Sequence, residues 1–290
     1  MNYLLLFISM TACLVYELLK KSYTKRYENT FYQYLFVVAT SFVAIIVFSC
    51  FGFKRASSFT VWLGIAFGCA TLIQLVAFLS AVKNGPLSYT SIITAFSTVI
   101  PVLAGCIFWD EKISALQIIG IALMCVSILL SVLKNEKGKK ANKSWYVYCV
   151  ILFVCTGSIG VMQKIHQKSA YAGQSNTFLL VAFLCSLCLS SVISFATYKK
   201  NKTVCEKTTS PVWVFIVIAF VCGICCAFNN KLNLYLTGQI NGAILFPLLN
   251  GGGAVLTTTF SVLLFKEKLS VKQWIGAFIG IAAIVLLCLN

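Results

Sequence analysis

The chain has 290 residues, 60% hydrophobic and 10% charged, against roughly 45–50% apolar and about 25% charged in soluble domains. That composition excludes a soluble globular protein and leaves an all-α integral membrane protein, in which stretches of about 20 apolar residues each cross the bilayer. The net charge of +16 does not imply nucleic acid, because the cations lie in short loops between apolar stretches, where they orient helices and meet anionic membrane lipid.

About ten transmembrane helices are predicted, near residues 3–19, 31–53, 59–82, 86–109, 114–133, 145–163, 175–198, 212–236, 240–265 and 271–289. The first follows Met1 without a basic region or a small-residue cleavage site, so it is expected to stay as a helix. Within it Glu17, the only acid in a predicted span, is the candidate for ion coupling. Lys20 and Lys21 lie three and four residues on and offer an interfacial ion pair as the alternative. Span three carries Gln74 at mid-depth. Span four carries Pro101, which is expected to kink it. Glu111 stands in the turn before span five, beside Lys112, where a carboxylate favours the N-terminus of the following helix.

A polar, basic run from Lys134 to Lys143 follows, with residues 138–143 as the linker between a first half, 1–137, and a second, 144–290. Span six ends in Gln163, Lys164, His166, Gln167 and Lys168, an interfacial helix end or a gate. Span eight holds Asn229, Asn230, Lys231 and Asn233 among Val, Ile, Phe, Cys and Ala. Polar groups there are costly unless paired or facing water, so Asn229, Asn230 and Lys231 are candidates to bind a solute bearing a carboxylate, phosphate or hydroxyls. Snorkelling to the head groups is the alternative for Lys231. Gln74 lies 156 residues before Asn230 and joins the same set. In span nine Pro247 is a second expected kink. Asn250 and Gly251 open a run, Asn250-Gly251-Gly252-Gly253, that allows close approach by a ligand or another helix.

The two halves are alike. Glu111-Lys112-Ile113-Ser114-Ala115-Leu116-Gln117-Ile118-Ile119-Gly120 returns as Glu267-Lys268-Leu269-Ser270-Val271-Lys272-Gln273-Trp274-Ile275-Gly276, at an offset of about 156 residues. A duplicated set of spans is how a transporter of two homologous membrane halves reads in sequence. An odd number of spans per half turns the second half over with respect to the first. Counting cations by loop puts 17 of the 23 basic residues on one face, which the positive-inside rule makes cytoplasmic, with both termini outside.

Other chemistries find little support. Most of the 14 cysteines lie inside apolar spans and read as small, soft packing residues, and the single histidine is remote from the Cys185-x-x-Cys188 and Cys222-x-x-Cys225 pairs, so no metal is expected. There is no HExxH motif and no embedded acid pair, so the chain is not expected to be an enzyme. Gly251-Gly252-Gly253 is not followed by the lysine of a phosphate loop, so no cofactor is expected and transport is not powered by ATP here.

The stretch from Leu245 through Pro247, Asn250, Gly251 and Ala254, then Phe265-Lys266-Glu267-Lys268 and Gln273-Trp274-Ile275-Gly276, resembles the EamA-like members of the drug/metabolite transporter superfamily. The first half carries its own version from Ala81-Val82-Lys83-Asn84-Gly85-Pro86 through Pro101 to Trp109-Asp110-Glu111-Lys112 and Gly120. The resemblance implies two inverted five-helix repeats around a central cavity, with alternating access to small organic solutes, and both termini in the cytoplasm, opposite to the charge count. It makes the expected function secondary export of metabolites or drugs across a cell membrane, expected to be a bacterial plasma membrane, by a monomer or homodimer. A nucleotide-sugar or lipid-linked-sugar exchanger and a non-transport membrane subunit or intramembrane enzyme are the alternatives. The resemblance extends to helix one, where a glutamate placed like Glu17 is carried by small multidrug transporters of the same superfamily.

Overall fold

The computed structural model describes residues 2–27, 29–52, 54–84, 87–132, 143–200, 212–253, 255–256, 260 and 271–288. Residues 138–142 of the linker and the turn holding Glu267 fall outside them, while Lys143, the last linker residue, already begins the helix Lys143–Gln167. Eleven α-helices are described: α1 Asn2–Arg26, α2 Thr30–Cys50, α3 Ser58–Asn84, α4 Leu87–Phe96, α5 Val99–Trp109, α6 Ala115–Val132, α7 Lys143–Gln167, α8 Ser175–Lys200, α9 Val212–Gln239, α10 Gly242–Pro247 and α11 Val271–Cys288. Six are long and apolar enough to cross a membrane, within α1, α2, α3, α7, α8 and α9, and four shorter apolar helices stand where spans four, five, nine and ten are predicted.

Two of the shorter helices are short because they are broken. Span four divides into α4 and α5 at Ser97 and Thr98. Pro101 has no N–H to give the Ser97 carbonyl, and its ring crowds that turn, so the helix restarts just before it. Span nine ends its α-helical part at Pro247 and widens into a π-helical turn, Leu248–Gly252. Pro101 and Pro247, from which kinks are expected, stand beside these two departures from regular α-helix.

Side-chain caps fix the starts of three helices. The Asn29 carboxamide oxygen accepts from the Phe31 N–H at 3.1 Å and starts α2, and the Asn241 oxygen accepts from the Ala243 N–H at 2.8 Å and starts α10. Ser114 and Gln117 make a reciprocal box at the start of α6, with the Ser114 N–H on Gln117 Oε1 at 3.0 Å and the Gln117 N–H on Ser114 Oγ at 3.3 Å. Each satisfies orphan donors that lipid would leave bare.

The helices gather into two compact units that do not follow the sequence halves. The first contains Tyr3–Leu72 and His166–Tyr235, and the second Ile73–Ile165 and the described residues from Leu236 onward. In the first unit α1 runs antiparallel to α9, with Tyr23 against Phe215 at one end and Ser9 against Asn229 at the other. An aromatic stack closes one end, with the Tyr23 ring 4.7 Å from Tyr27 and 4.5 Å from Phe36. α3 meets α8 through glycines: a Cβ on Gly64 would stand 3.0 Å from the Phe178 carbonyl oxygen, and one on Gly68 would strike the Ala182 carbonyl oxygen. In the second unit α6 lies along α11, tied by Ser127 Oγ donating to the Gly276 carbonyl at 2.6 Å. Val102, Ala243 and Phe246 form the core between α5 and α10.

Small residues at such contacts are what lets helices associate in lipid, where apolar side chains gain nothing by leaving their surroundings. Large apolar side chains such as Trp62, Phe108 and Phe278 instead remain exposed, as a lipid-facing surface requires. Gly68→Val therefore drives a branched side chain into the α8 backbone and is expected to destabilise by about 1–3 kcal/mol. A melting curve in detergent reads it, with Ile107→Val on the exposed face of α5 as the unaffected control.

Candidate functional site

The second unit holds a buried ion pair. Lys164, near the end of α7, is fully buried, and the side chain of Glu111 is 13% exposed; Nζ and Oε2 form a direct hydrogen-bonded salt bridge. The same Oε2 accepts the Gly242 N–H at 2.9 Å. The Trp109 ring lies 5.3 Å from Nζ and adds its π-face to the ammonium. Asp110 turns the chain with a left-handed backbone at φ 50, a conformation that aspartate tolerates, and so swings Glu111 inward from the end of α5. Asn241 closes the other side, its amide donating to the Lys112 carbonyl at 3.1 Å.

Two glycines leave room for the pair. A Cβ on Gly105 would collide with Glu111 Oε2 and come within 2.9 Å of Lys164 Nζ, and one on Gly242 would lie 2.8 Å from Nζ and 3.0 Å from Oε2. The carboxylate thus joins the α5–α6 turn to α7 and to the start of α10. Glu111 occupies the turn expected of it, but the α6 N-terminus is capped by Ser114 and Gln117, and Glu111 serves other partners. Lys164 departs from the interfacial placement weighed for the end of span six: Gln163, Lys164 and His166 are all buried, while Gln167 bonds Ser175 Oγ at 2.7 Å and Lys168 alone is exposed.

The first unit holds a polar cluster between two membrane-length helices. Ser9 Oγ on α1 lies within hydrogen-bonding distance of Oδ1 of both Asn229 and Asn233, at 2.8 Å from the first. The Asn233 amide donates to Asn229 Oδ1 at 2.8 Å. Asn230 turns away and donates to the Cys226 carbonyl of its own helix at 2.9 Å. Lys231 is half-buried with its Nζ 3.0 Å from the centroid of the Phe51 ring. Of the residues here, Asn229, Asn230 and Lys231 were expected from sequence. Ser9 was not, because one serine in an apolar helix is an ordinary occurrence.

The other expected residues are dispersed. Gln74 is half-buried in the second unit, whereas Asn230 belongs to the first. Glu17 is 42% exposed with an oxygen 3.6 Å from Lys20 Nζ, the i,i+3 pair weighed for it. Asn250 is exposed on the π-helical turn, and Gly251 is buried against Met124 of α6, so its missing side chain serves close helix packing. Pro101 and Pro247 mark the two broken helices. His166 is buried with its ring stacked 4.5 Å from Phe178, and neither ring nitrogen has a hydrogen-bond partner among the described residues. No group of three or more metal-ligating side chains occurs among the described residues.

A repeat signal could have located Gly242. Asn84-Gly85 recurs as Asn241-Gly242 and Glu111 as Glu267, so each half carries an Asn-Gly pair ahead of a glutamate in sequence.

Lys164→Met removes the ammonium and leaves a largely buried carboxylate, at an expected cost of about 3–5 kcal/mol. The double variant with Glu111→Gln is expected to recover a large part of that loss. Thermal unfolding of the four proteins of this cycle measures the coupling.

Known proteins bear on these arrangements. The model of the EamA-like transporter family matches residues 2–133 and 143–289. An uncharacterized protein of Haemophilus influenzae (strain ATCC 51907 / DSM 11121 / KW20 / Rd) is 26% identical over 189 residues, which cover 65% of this chain and 62% of that one. A crystal structure of another protein shares the fold with a TM-score of 0.74 over 98% of each chain, at 14% identity.

Proposed function

We propose that this chain, which belongs to the EamA-like transporter family of the drug/metabolite transporter superfamily, is a secondary active transporter that exports small metabolites or drugs across a cell membrane. In this reading ten helices form two inverted five-helix repeats around a central cavity that opens to each side in turn. The single observation that carries the reading is the Ser9–Asn229–Asn233 cluster, which sets three polar side chains against one another between α1 and α9. Both helices are long and apolar enough to span a bilayer, and polar groups held at such depth are costly unless they serve a passing solute or each other. The cluster offers amide and hydroxyl groups that can exchange their mutual hydrogen bonds for bonds to a solute.

The broken helices supply movable parts. A break at Ser97–Thr98 and a π-helical turn at Leu248–Gly252 are places where a few dihedral angles can change without unwinding a whole span. Gln74 and Asn250 remain proposed solute contacts, with Asn230 and Lys231 beside the cluster, while Gly251 is left only its backbone for such a contact, since Met124 packs on its side-chain face. Glu17 is the proposed coupling acid, as the one carboxylate in a described membrane-length helix.

Two measurements test the reading. Cells that overproduce the protein are expected to enrich at least one metabolite in the medium, and Asn229→Leu is expected to reduce that enrichment at least tenfold while leaving the amount of folded protein unchanged; full enrichment by the variant would remove the cluster from the pathway. In proteoliposomes holding the solute so found, a proton gradient is expected to drive its movement through the intact protein and not through Glu17→Gln. Equal rates would end the role of Glu17.

A further inference from the structure

One end of the first unit gathers cations without acids. Lys231 lies in the membrane-length part of α9, Trp213–Gln239, yet its described partner is the face of Phe51, the residue that caps α2. Lys54 and Arg55 follow on the connection to α3, and Lys168 stands on the connection from α7 to α8; all three are exposed. These two connections are joined. The Lys54 N–H donates to Thr177 Oγ1 at 3.2 Å, and that hydroxyl donates back to the Lys54 carbonyl at 2.9 Å; the Ser57 N–H donates to Gln174 Oε1 at 3.0 Å. The Asn176 amide holds the Phe48 carbonyl, at the end of α2, at 2.8 Å. The hydrogen bonds therefore hold the segments that carry the four cations together at one end of one unit.

Nothing described at that end neutralises them. The chain has only seven acids, with none between residues 29 and 109. Glu17 is the one described acid of this unit, and it pairs with Lys20. A cation in a span without an acid calls for an anion from outside. The aromatic groups around it show which kind. Phe51 is 50% exposed and Phe228, edge-on to it at 6.2 Å, is 44% exposed. Phe59, in the first turn of α3, and Tyr171, on the connection from α7 to α8, stack at 5.6 Å and are exposed as well. Exposed aromatic rings beside snorkelling cations are the composition of a membrane–water boundary.

We propose that this end binds the phosphate of an anionic phospholipid, with Lys231 on Phe51 as the central contact and Lys54, Arg55 and Lys168 as the surrounding field. The phosphate supplies the missing negative charge, and the acyl chains lie along the exposed rings of Phe51 and Phe228. Lys231 is also among the solute contacts proposed above, so the test reads lipid retention and not transport, and failure of one proposal leaves the other standing.

The full-length protein, delipidated in detergent and titrated with phosphatidylglycerol or phosphatidylcholine, is examined by native mass spectrometry. Phosphatidylglycerol is expected to be retained at least fivefold more than phosphatidylcholine. Lys231→Met is expected to cut that preference about fivefold, the effect of one cation near an anionic surface, and Lys231→Arg to keep it. The pair Lys54→Gln and Arg55→Gln, on an exposed connection where folding is not at stake, is expected to lower it further. Equal retention of the two lipids, or an unchanged preference in both the Lys231→Met and the Lys54→Gln, Arg55→Gln proteins, would overturn the proposal. Displacement of bound phosphatidylglycerol by millimolar glycerol phosphate would also overturn it and assign the site to a free phosphorylated solute.

Discussion

Lipid offers no hydrogen bonds, so every polar group carried into it has to be answered by another part of the chain, and this constraint organises the whole molecule. The Glu111–Lys164 pair is its strongest expression. A buried ammonium without a carboxylate would be worth several kcal/mol of destabilisation, and here one carboxylate answers both that ammonium and the free N–H of Gly242. The same constraint explains the reciprocal bonding of Ser9, Asn229 and Asn233, and the return of Asn230 to the carbonyl of its own helix.

Close approach follows from the same physics. With no hydrophobic gain from helix association, contact has to come from packing, and packing improves as backbones approach. Gly64 and Gly68 bring α3 against α8, Gly223 brings α9 against Thr40 and Val43 of α2, and Gly105 and Gly242 clear the space in which the ion pair forms. The glycines that appear as flexibility in a sequence are here the surfaces of contact. Gly251 shows the distinction well: it lies in a run that invites a ligand, and Met124 fills the place where its side chain would stand.

Much of the helical architecture was legible in the sequence, because hydropathy and proline act locally. The positions of the apolar helices, the break before Pro101 and the end of regular helix at Pro247 all follow from residues within one or two turns. The partners of the polar groups were less accessible. Glu111 looked like a cap for the helix that follows it, since Ser114 and Gln117, which perform that task, stand only three and six residues away. Its actual partner, Lys164, is 53 residues distant and near enough to the end of α7 to pass for an interfacial lysine. The compact units were hidden for a related reason. Sequence repetition divides the chain at its middle, whereas contacts join α1 to α9, α2 and α3 to α8, and α6 to α11, each pair drawn from both halves.

The imbalance of charge gives the excess cations a different logic from the paired ones. Both glutamates in the described chain are engaged by lysines, Glu17 by Lys20 and Glu111 by Lys164. With 23 bases and seven acids in the sequence, most cations have no acid to meet and have to stay in water, meet a lipid phosphate or rest on an aromatic face. Where each one goes depends on depth. Lys54, Arg55 and Lys168 remain exposed at the ends of helices, where water and head groups are equally good solvents for charge. Lys231 starts deeper and reaches Phe51, whose ring gives an ammonium partial compensation without neutralising it. A carboxylate in place of Phe51 would close that charge into a second internal pair, like the one at Lys164. The aromatic ring instead leaves the net charge of this site positive and open to an anion from outside the chain.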